Sequence, residues 1–593
     1  MTLVNGISQF RAADFMPVDL DVRALDGGVI TLRSRIPLRD HDPNLARAFA
    51  RRAAEKGDAP ALLWRDLDDR WVGLSYRDFK REVDSAAAWL RRSLAPRSVI
   101  LIIGENSRST AVATFAAHAA NMVAAPVGPM YALIGAPYAR LLHVIRKQRP
   151  ALALLECGPP SAPAAELLRE HGVRIVSTDP EGLGGQVTSF ADLLREPAPS
   201  DADALTAALD VDAPAQHVLT SGSSGLPKVV PQSLRMMAAS LAQQIDTIGG
   251  VAAWDQEMVE WGPWHHTAGA ATLRACMVSG GAFYIDAGKP LPHLFKESIR
   301  NLREIPLTKM HNGPSAYALL VEALEADSEL RETFFRKLRI MVSGGAALSQ
   351  QVYDQIQKIA VAETGYLVPC VNGYGMTETV AACVYTHWPT ENVGLGLPVP
   401  DVTMKLVPYG EYYEIRLKGP NIAKGYLDDP EQNSAAFDDD GFFKTGDLAR
   451  LADPQDVSKG LLYGGRASEE FKLSNATWVS GGQLREGLLK ALNGKASDLV
   501  LADDGWPFLC ALVWATHGTS LDDVAEVIRT FNQSQHGAAS RVARVTLLNA
   551  PPDPLRNELT DKGTVVRRAI LDNRKQQVAE LLSDCPGDDV RIL

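Results

Sequence analysis

Short apolar runs alternate with helix-like segments along the N-terminal half of the chain, and this alternation most limits the possible folds. Residues 98–104 form an apolar run that ends in glycine, which is typical of a strand buried on both faces. Strands that alternate with helices predict parallel sheets covered by helices. Similar runs recur at residues 151–155, 173–177, 216–220, 282–285 and 338–343, with helical patterns such as 76–93 and 349–364 between them.

The chain of 593 residues is too long for one hydrophobic core, so several domains are expected. Residues 197–214 are rich in Pro, Ala and Asp and predict a linker between two α/β subdomains. Residues 393–451 are denser in Gly, Pro and aromatic residues. Within them, apolar and polar side chains alternate along 412–417, as in a strand with one solvent-exposed face, which predicts a small β-rich subdomain. We therefore predict an N-terminal domain, 1–466, and a small α+β C-terminal domain, 467–593.

Charge and cysteine usage exclude several functional classes. The net charge of -11 argues against a nucleic-acid binder and against binding to anionic membranes. The six cysteines are scattered without a Cys-x-x-Cys pair, so neither zinc nor a disulfide framework is indicated. Residues 1–11 lack a signal-peptide pattern, and the longest uncharged run, 110–138, contains a histidine, an asparagine and three prolines. We expect a cytoplasmic protein with small-molecule partners.

A loop rich in Gly, Ser and Thr at residues 219–228 has the chemistry of a phosphate site. Backbone N–H groups beside glycines can form an anion nest, hydroxyl groups add donors, and a lysine adds positive charge. The pattern is not a Walker A loop, because Pro227 precedes the lysine and no Ser or Thr follows it. The alternative is a flexible turn. The candidate phosphate-binding residues are Thr220, Ser221, Gly222, Ser223, Ser224, Gly225 and Lys228.

Three further stretches complete a candidate nucleotide site. In residues 372–379, Tyr374 offers an aromatic face for a purine and Glu378 a hard oxygen ligand for Mg²⁺. Asp447, in a Lys-Thr-Gly-Asp segment, could accept hydrogen bonds from ribose hydroxyls, and Lys562 offers a basic group near the end of the chain. Alone, each would be an ordinary turn or surface residue. Together with the glycine loop they predict a nucleotide triphosphate site.

These motifs, in this order, resemble the adenylate-forming superfamily of acyl-CoA synthetases, luciferases and peptide-synthetase adenylation domains, over about residues 45–580. The segments 343–348, 394–398, 419–422 and 425–426 also fit. The resemblance implies a mobile C-terminal domain and a glycine loop that holds the β- and γ-phosphates. It also implies residue roles: adenine stacking by Tyr374 beside Gly345 and Ala346, α-phosphate contact by Thr377, Mg²⁺ binding by Glu378, a ribose grip by Asp447 and Arg466, and catalysis by Lys562.

Residues 261–270 point to a subfamily. Their Pro-Trp-His-His-Thr string is similar to the Pro-Trp-Asn-His-Thr of feruloyl-CoA synthases, as are residues 471–474, 477–480 and 559–563. The alternative is a histidine pair on a turn that caps a helix. The chain departs from the related sequences at three sites: His265, Ser468 at the interdomain hinge, and Asn475-Ala476 beside the pantetheine tunnel. The acid pocket implied by the resemblance is lined by Trp264, His265, His266, Gly344, Gly345 and Met376, with His266 also counted as catalytic.

The resemblance implies an ATP-dependent carboxylic acid:CoA ligase that works through an acyl-adenylate. It would use ATP, Mg²⁺ and coenzyme A, and its acid would be aromatic or arylpropenoic, such as ferulate. Alternatives are transfer to a carrier protein or an amine, a non-aromatic acid, and a nucleotide-binding protein without activity. The protein is expected to be a monomer or homodimer.

Overall fold

The computed structural model describes residues 9–220, 226–249, 257–474, 478–502, 508–535, 537, 540–559 and 565–593. Its strands, β1 to β28, are Leu20–Ala24, Ile30–Ser34, Pro60–Arg65, Trp71–Ser75, Val99–Ile103, Val123–Val127, Leu152–Leu155, Arg174–Ser177, Val187–Ser189, Pro214–Thr220, Lys228–Ser233, Glu257–Glu260, Ala282–Ile285, Lys309–Asn312, Ile340–Gly344, Cys370–Gly375, Ala382–Tyr385, Leu397–Pro398, Thr403–Tyr409, Tyr412–Lys418, Phe443–Leu451, Leu461–Arg466, Glu470–Lys472, Trp478–Ser480, Ala496–Ala502, Leu509–Ala515, Val542–Leu547 and Val590–Ile592.

The helices lie between these strands for most of the chain. In order, α1 to α19 are Leu45–Lys56, Tyr76–Ser93, Arg108–Ala119, Met130–Leu133, Ala139–Gln148, Ala162–Glu170, Phe190–Leu194, Ala202–Ala207, Leu234–Ile248, Thr267–Ser279, Phe295–Glu304, Pro314–Ala326, Ser328–Lys337, Gln350–Thr364, Pro430–Ala436, Gly481–Leu492, Leu521–Gln533, Arg567–Asn573 and Lys575–Leu582.

The first α/β subdomain is built on a seven-stranded sheet in the order β11-β10-β6-β5-β7-β8-β9. Its strands are parallel except for the β10–β11 hairpin. Every residue of β5 is buried, as the apolar run at 98–104 predicts for a central strand. Residues 197–214 were predicted to link two α/β subdomains, but they connect β9 to β10 of this same sheet, so that prediction was wrong. The segment contains α8, because its alanine-rich sequence supports a helix despite the flanking prolines.

The second α/β subdomain contains two smaller sheets, β12-β13-β3-β4 and β14-β15-β16-β17-β18. In each, three neighbouring strands are parallel and the rest are antiparallel. Helix α14 begins after Ser349, whose side chain accepts a hydrogen bond from the N–H of Val352 and so caps it. The prediction of parallel sheets in two α/β subdomains is confirmed.

An antiparallel sheet of six strands, β1-β2-β19-β20-β21-β22, forms the β-rich unit. Ile415 and Leu417 of β20 are fully buried and Arg416 between them is half-buried, so the predicted alternation is seen in the second half of the segment 412–417. The N-terminal strands join this sheet because β2 pairs with β19. Leu32 and Met404, partners in that pairing, lie in the same core.

After Arg466 the chain builds a separate hydrophobic core. The hairpin β23–β24 is followed by the sheet β25-β26-β27-β28, in which β26 and β27 are parallel. Two clusters of buried apolar side chains in this region draw only on residues after 470. In the described part of the chain, no helix combines the length and the hydrophobicity that crossing a bilayer demands.

Candidate active site

A cavity of about 1240 Å³ lies where the sheets and the C-terminal region meet. Its walls include residues of the glycine-loop flanks, the Trp-His-His turn, the Gly-Tyr-Gly segment and the Lys-Thr-Gly-Asp segment, together with Pro554, Leu555, Asn557 and Leu559 of the C-terminal region. Such a volume exceeds the roughly 300–1,000 Å³ of a typical ligand pocket. The predicted site residues that line it are Thr220, Lys228, His265, His266, Gly344, Gly345, Ala346, Met376, Thr377, Glu378 and Arg466.

Asp447 stands at the centre of a hydrogen-bonded group beside this cavity. Its Oδ2 accepts a hydrogen bond from the hydroxyl of Tyr374 at 2.7 Å, and its Oδ1 lies 3.0 Å from Nε of Arg466 and 3.4 Å from the hydroxyl of Tyr463. The carboxylate is buried, with 2% of Asp447 exposed. Burial raises the pKa of Asp447, while Arg466 and Tyr374 act in the opposite direction. Tyr374, Tyr463 and Arg466 thus hold the buried carboxylate of Asp447 next to the cavity wall.

Tyr374 lies between two glycines that line the cavity, Gly373 and Gly375. A Cβ atom at Gly375 would stand 2.3 Å from the carbonyl oxygen of Ala381, so no larger residue fits there without moving the backbone. This close approach explains the Gly-Tyr-Gly pattern, because β16 turns into the Thr377–Thr379 helical turn at that point. The ring itself packs on the core beneath the β-rich unit.

Glu378 contributes a second buried carboxylate. Its Oε1 accepts a hydrogen bond from the hydroxyl of Tyr426 at 2.8 Å, and Nζ of Lys228 lies 4.2 Å from the centre of the Tyr426 ring. Burial lowers the pKa of Lys228, and the nearby Glu378 raises it in part. An acid, a tyrosine and a lysine from three distant segments therefore lie together on the cavity wall.

The turn that carries Glu378 is held in an unusual backbone conformation. Val380 has a φ of 66°, which is strained for a β-branched residue. Its carbonyl oxygen accepts a hydrogen bond from the hydroxyl of Thr267, at the first turn of α10. The carbonyl of Thr377 accepts another from Gln232 at 3.0 Å. Contacts from two separate elements thus fix the turn that carries Thr377 and Glu378.

The Trp-His-His turn lies before α10. Asn106 holds it by accepting a hydrogen bond from the N–H of Trp264 at 2.9 Å and donating one to the carbonyl of Gly262 at 2.9 Å. A Cβ atom at Gly269 would lie 2.4 Å from the Gly262 and Pro263 carbonyls, so glycine lets helix and turn approach. His266 occupies the N-cap position of α10.

The two histidine rings line the cavity, with centres 4.5 Å apart. Burial lowers the pKa of His265 to about 3, so its imidazole is neutral at physiological pH. Trp264 does not point into the cavity: it is 6% exposed and packs edge-on against Phe283, with ring centres 5.7 Å apart. Of the six residues predicted for the acid pocket, the other five line this cavity and Trp264 does not. A large apolar ring at this position gains more from the core than from a solvent-filled cavity.

Two parts of the predicted site fall outside the described residues: Ser221 to Gly225 of the glycine loop, and Lys562. The flanks of the glycine loop are described, and Thr220 pairs with Lys228 across the β10–β11 hairpin. The differing positions Asn475 and Ala476 are also outside the described residues, as is the side chain of Ser468.

Arg140, in the first turn of α5, joins the N-terminal region to the segment just before Lys562. Its Nη2 donates a hydrogen bond to the carbonyl oxygen of Leu559 at 2.6 Å. Both residues line the cavity. This contact spans 419 positions of sequence and places residues 554–559 at the cavity wall.

Sequence reasoning missed several cavity residues. Tyr426 had a signal, because Gly425-Tyr426 fits the family pattern, but its bond to Glu378 follows only from the fold. Arg140 carried no local signal. Glu260, a charged residue at the end of the apolar run Met258-Val259, could have been noticed, since strands rarely bury an acid without a partner.

The site suits Mg²⁺ bound together with phosphates. Among the described residues, no group of three His, Cys, Asp or Glu side chains could hold a metal ion by itself. Mg²⁺ in phosphate-transfer sites is usually held by one or two carboxylates and by the phosphates of the substrate. Glu378, a carboxylate on the cavity wall, fits that kind of site.

Comparisons with known proteins agree with this geometry. The family described as AMP-binding enzyme matches residues 49–427. A 4-coumarate--CoA ligase-like 6 from Oryza sativa subsp. japonica is 25% identical over 64% of this chain and 63% of that protein. A nonribosomal peptide synthetase, pngA, from Aspergillus terreus is 29% identical over 44% of this chain and 29% of that protein. The chain spans 12–29% of the length of the first curated relatives it matches.

Solved structures share the fold. The anthranilate CoA ligase AuaEII in complex with anthranoyl-AMP superposes with a TM-score of 0.70 at 16% identity, covering 92% of this chain and 99% of that one. ATP-bound MatB from Rhodopseudomonas palustris gives a TM-score of 0.68 at 21% identity, covering 90% and 99%. The family match spans well over half of the chain, and the chain therefore belongs to the AMP-binding enzyme family, the adenylate-forming enzymes.

Proposed function

We propose that this protein is an ATP-dependent carboxylic acid:CoA ligase that forms AMP and acts on an aromatic acid such as ferulate. The observation that carries the proposal is the convergence on one cavity of the Arg466–Asp447 pair, the Glu378–Tyr426–Lys228 group and the segment leading to Lys562. A cavity of about 1240 Å³ has room for a nucleotide and an acid together.

In the first half-reaction, a carboxylate oxygen of the acid attacks the α-phosphorus of ATP. The bond from that phosphorus to the bridging oxygen breaks, and pyrophosphate leaves. Asp447 and Arg466 hold the ribose and Tyr374 flanks the adenine, while Thr377 contacts the α-phosphate. Lys228 and Lys562 place positive charge against the phosphates, so that one anion can approach another. Bound Mg²⁺ would neutralise further phosphate charge from the position of Glu378.

In the second half-reaction, the thiol sulfur of coenzyme A attacks the carbonyl carbon of the acyl-adenylate. The carbon–oxygen bond to AMP breaks, and the thiol loses its proton to solvent. The C-terminal region, 467–593, would rotate between the two steps, withdrawing Lys562 and opening a path for the thiol. The Arg140–Leu559 contact then belongs to the first arrangement, because it holds the segment before Lys562 against the cavity.

An aromatic acid fits the side chains of the acid pocket. Gly344 and Gly345 leave space for a flat ring, and the neutral His265 ring can lie against its face or edge. The curated relatives include one protein named 4-coumarate--CoA ligase 4 and one named 4-coumarate--CoA ligase-like 6, and a structural neighbour is an anthranilate CoA ligase. These names support the substrate class for this chain.

A second candidate has the acyl group passed to a carrier-protein pantetheine. In support, one relative is named a nonribosomal peptide synthetase, pngA, and another is named tyrocidine synthase 2. Consumption of free coenzyme A separates the two proposals.

The test is a panel of cinnamic, benzoic, short-chain and long-chain acids incubated with ATP, Mg²⁺ and coenzyme A. We expect AMP and thioester in equal amounts, and kcat/KM for the best aromatic acid about 10² or more above acetate. Turnover of acetate or long-chain fatty acids as fast as any aromatic acid would refute the substrate class. Acid-dependent AMP without a free thioester would favour the carrier acceptor.

A further inference from the structure

Strand β1, Leu20–Ala24, forms an open edge of the six-stranded antiparallel sheet. Within the described residues it pairs with β2 on one side and with no strand on the other, and its last three residues are exposed. Open edges are usually blunted by lysine, by proline or by a bulge. The sequence of β1 contains neither lysine nor proline, and its pairing with β2 runs without a bulge. This edge can therefore accept another strand.

The hydrogen bonds at the two ends of the β1–β2 hairpin show which backbone groups face the open edge. The N–H of Leu25 donates to the carbonyl of Val29 at 2.8 Å, and the N–H of Arg35 donates to the carbonyl of Asp19 at 2.9 Å. In an antiparallel pair, positions bonded in this way alternate with positions that are not. The odd-numbered residues of β1 therefore bond to β2, and the even-numbered ones direct their N–H and C=O groups outwards.

Val22, in the middle of β1, places apolar surface at this edge. It pairs with Leu32, and partners in an antiparallel pair have their side chains on the same face of the sheet. Leu32 is fully buried in the core on that face, whereas 44% of Val22 is exposed. A further strand beside β1 would therefore bury apolar surface that the hairpin leaves in contact with water.

We infer that β1 pairs antiparallel with β1 of a second copy of this chain, about a two-fold axis at Val22. In that register Val22 lies opposite Val22 of the second copy, and Leu20 lies opposite Ala24. These are the residues whose N–H and C=O groups point outwards, so each facing pair exchanges two backbone hydrogen bonds. The two sheets then form one continuous sheet, with the two Val22 side chains in contact on its core face.

The charged side chains of β1 match a second copy in this register. Asp21 and Arg23 lie on the same face, and Nη2 of Arg23 is 2.8 Å from Oδ2 of Asp21 within the chain. The Arg23 side chain is 70% exposed, so it can exchange this partner. Under the two-fold axis Asp21 lies opposite Arg23 of the second copy, in a non-hydrogen-bonded pair, where side chains approach most closely. An axis at Asp21 or at Arg23 would instead place two aspartates or two arginines opposite each other.

This pairing uses a surface separate from the cavity. Strand β22, which ends at Arg466, is the opposite edge of the same sheet, and no residue of β1 lines the cavity. With about 4.8 Å between neighbouring strands, β1 and β22 lie roughly 24 Å apart. The inference therefore goes beyond the proposed ligase activity and does not depend on it.

The test is sedimentation velocity of the full chain at increasing concentration. One pair of short strands is a small interface, so we expect wild-type protein to pass from monomer to dimer over roughly 1–100 µM. Val22→Pro removes an outward N–H, which an edge strand tolerates, and should raise the dissociation constant by about 10-fold or more. Asp21→Arg and Arg23→Asp each place like charges opposite each other and should do the same. An equimolar mixture of these two charge variants should dimerise again, because one chain then supplies the arginines and the other the aspartates.

The control is Arg77→Asp, a charge reversal at an exposed ion pair of α2, which should leave the dissociation constant unchanged. Thermal melting shows that each variant folds, and the mixture of charge variants still decides the question if Val22→Pro does not. A wild-type chain that stays monomeric at every concentration would overturn the inference. So would a dimer that survives Val22→Pro and both charge variants, or a mixture of the charge variants that stays monomeric.

Discussion

Asp447 gives the sharpest test of how the cavity would bind ATP. In the structure its carboxylate already receives hydrogen bonds or an ion pair from Tyr374, Tyr463 and Arg466. A carboxylate offers about four lone-pair sites, so about one remains for a ribose hydroxyl. A hydrogen bond to a charged group contributes about 1.5–3 kcal/mol, which corresponds to roughly 10- to 150-fold in affinity. Asp447→Ala should raise the KM for ATP by that factor.

The kcat should change less, because the ribose contact is present in both ground and transition states. The assay pairs the variant with 2′-deoxy-ATP and 3′-deoxy-ATP. Wild-type protein should penalise the analogue that lacks the bonded hydroxyl by a similar factor, and Asp447→Ala should no longer distinguish it from ATP. Asp439→Ala, an exposed aspartate in the turn before the same strand, is the matched control.

Asp447→Ala removes the ion-pair partner of Arg466, so thermal melting must show that the variant still folds. If it does not fold, Asp447→Asn, which keeps the shape of the side chain, takes its place in the assay. The assignment of Asp447 to the ribose would be refuted if the folded variant still discriminated the deoxy analogue as strongly as wild-type protein does.

Four further outcomes are expected. Lys562→Ala should slow acyl-AMP formation by on the order of 10² and leave synthetic acyl-AMP plus coenzyme A nearly unaffected; equal losses in the two half-reactions would contradict the domain rotation. Glu378→Ala should lower kcat and raise the Mg²⁺ concentration needed, and an unchanged Mg²⁺ titration would exclude it as a ligand. Arg140→Ala should slow the first half-reaction by about 10-fold and leave the rate of the second unchanged, since it removes the contact with Leu559. A rate loss found only in the second half-reaction would contradict this role of Arg140. The KM for ATP should also depend on pH, because the ionised form of Asp447 accepts the ribose hydrogen bond. Burial raises the pKa of Asp447 above the ordinary aspartate value of about 3.9, so the KM should rise as the pH falls through that raised pKa; a flat profile would contradict this.

Local sequence patterns predicted those helices and strands whose buried face can be recognised from the residues of the element itself. The apolar run at 98–104 became β5, buried on both faces, and the helical pattern at 76–93 became α2 with the same ends. Both rest on periodicities of two or 3.6 residues, which can be seen in one segment at a time.

Long-range pairings could not be predicted in this way. Strand β2 joins β19, and Arg140 reaches Leu559 across 419 positions. Trp264 entered the core because Phe283, on a later strand, offers it an aromatic partner. The motifs identified the residue types that the chemistry needs, but the Tyr426–Glu378 and His311–Glu260 pairs appear only once separate sheets are brought together. Side-chain partners of this kind are a property of the fold and not of a local pattern.

The most direct test of the central claim follows labelled pyrophosphate into ATP in the presence of each acid, and then counts AMP and thioester after coenzyme A is added. An adenylating acid:CoA ligase predicts exchange that depends on the acid and needs no coenzyme A, followed by one AMP for each thioester. Exchange without acid, or ADP in place of AMP, would contradict the account.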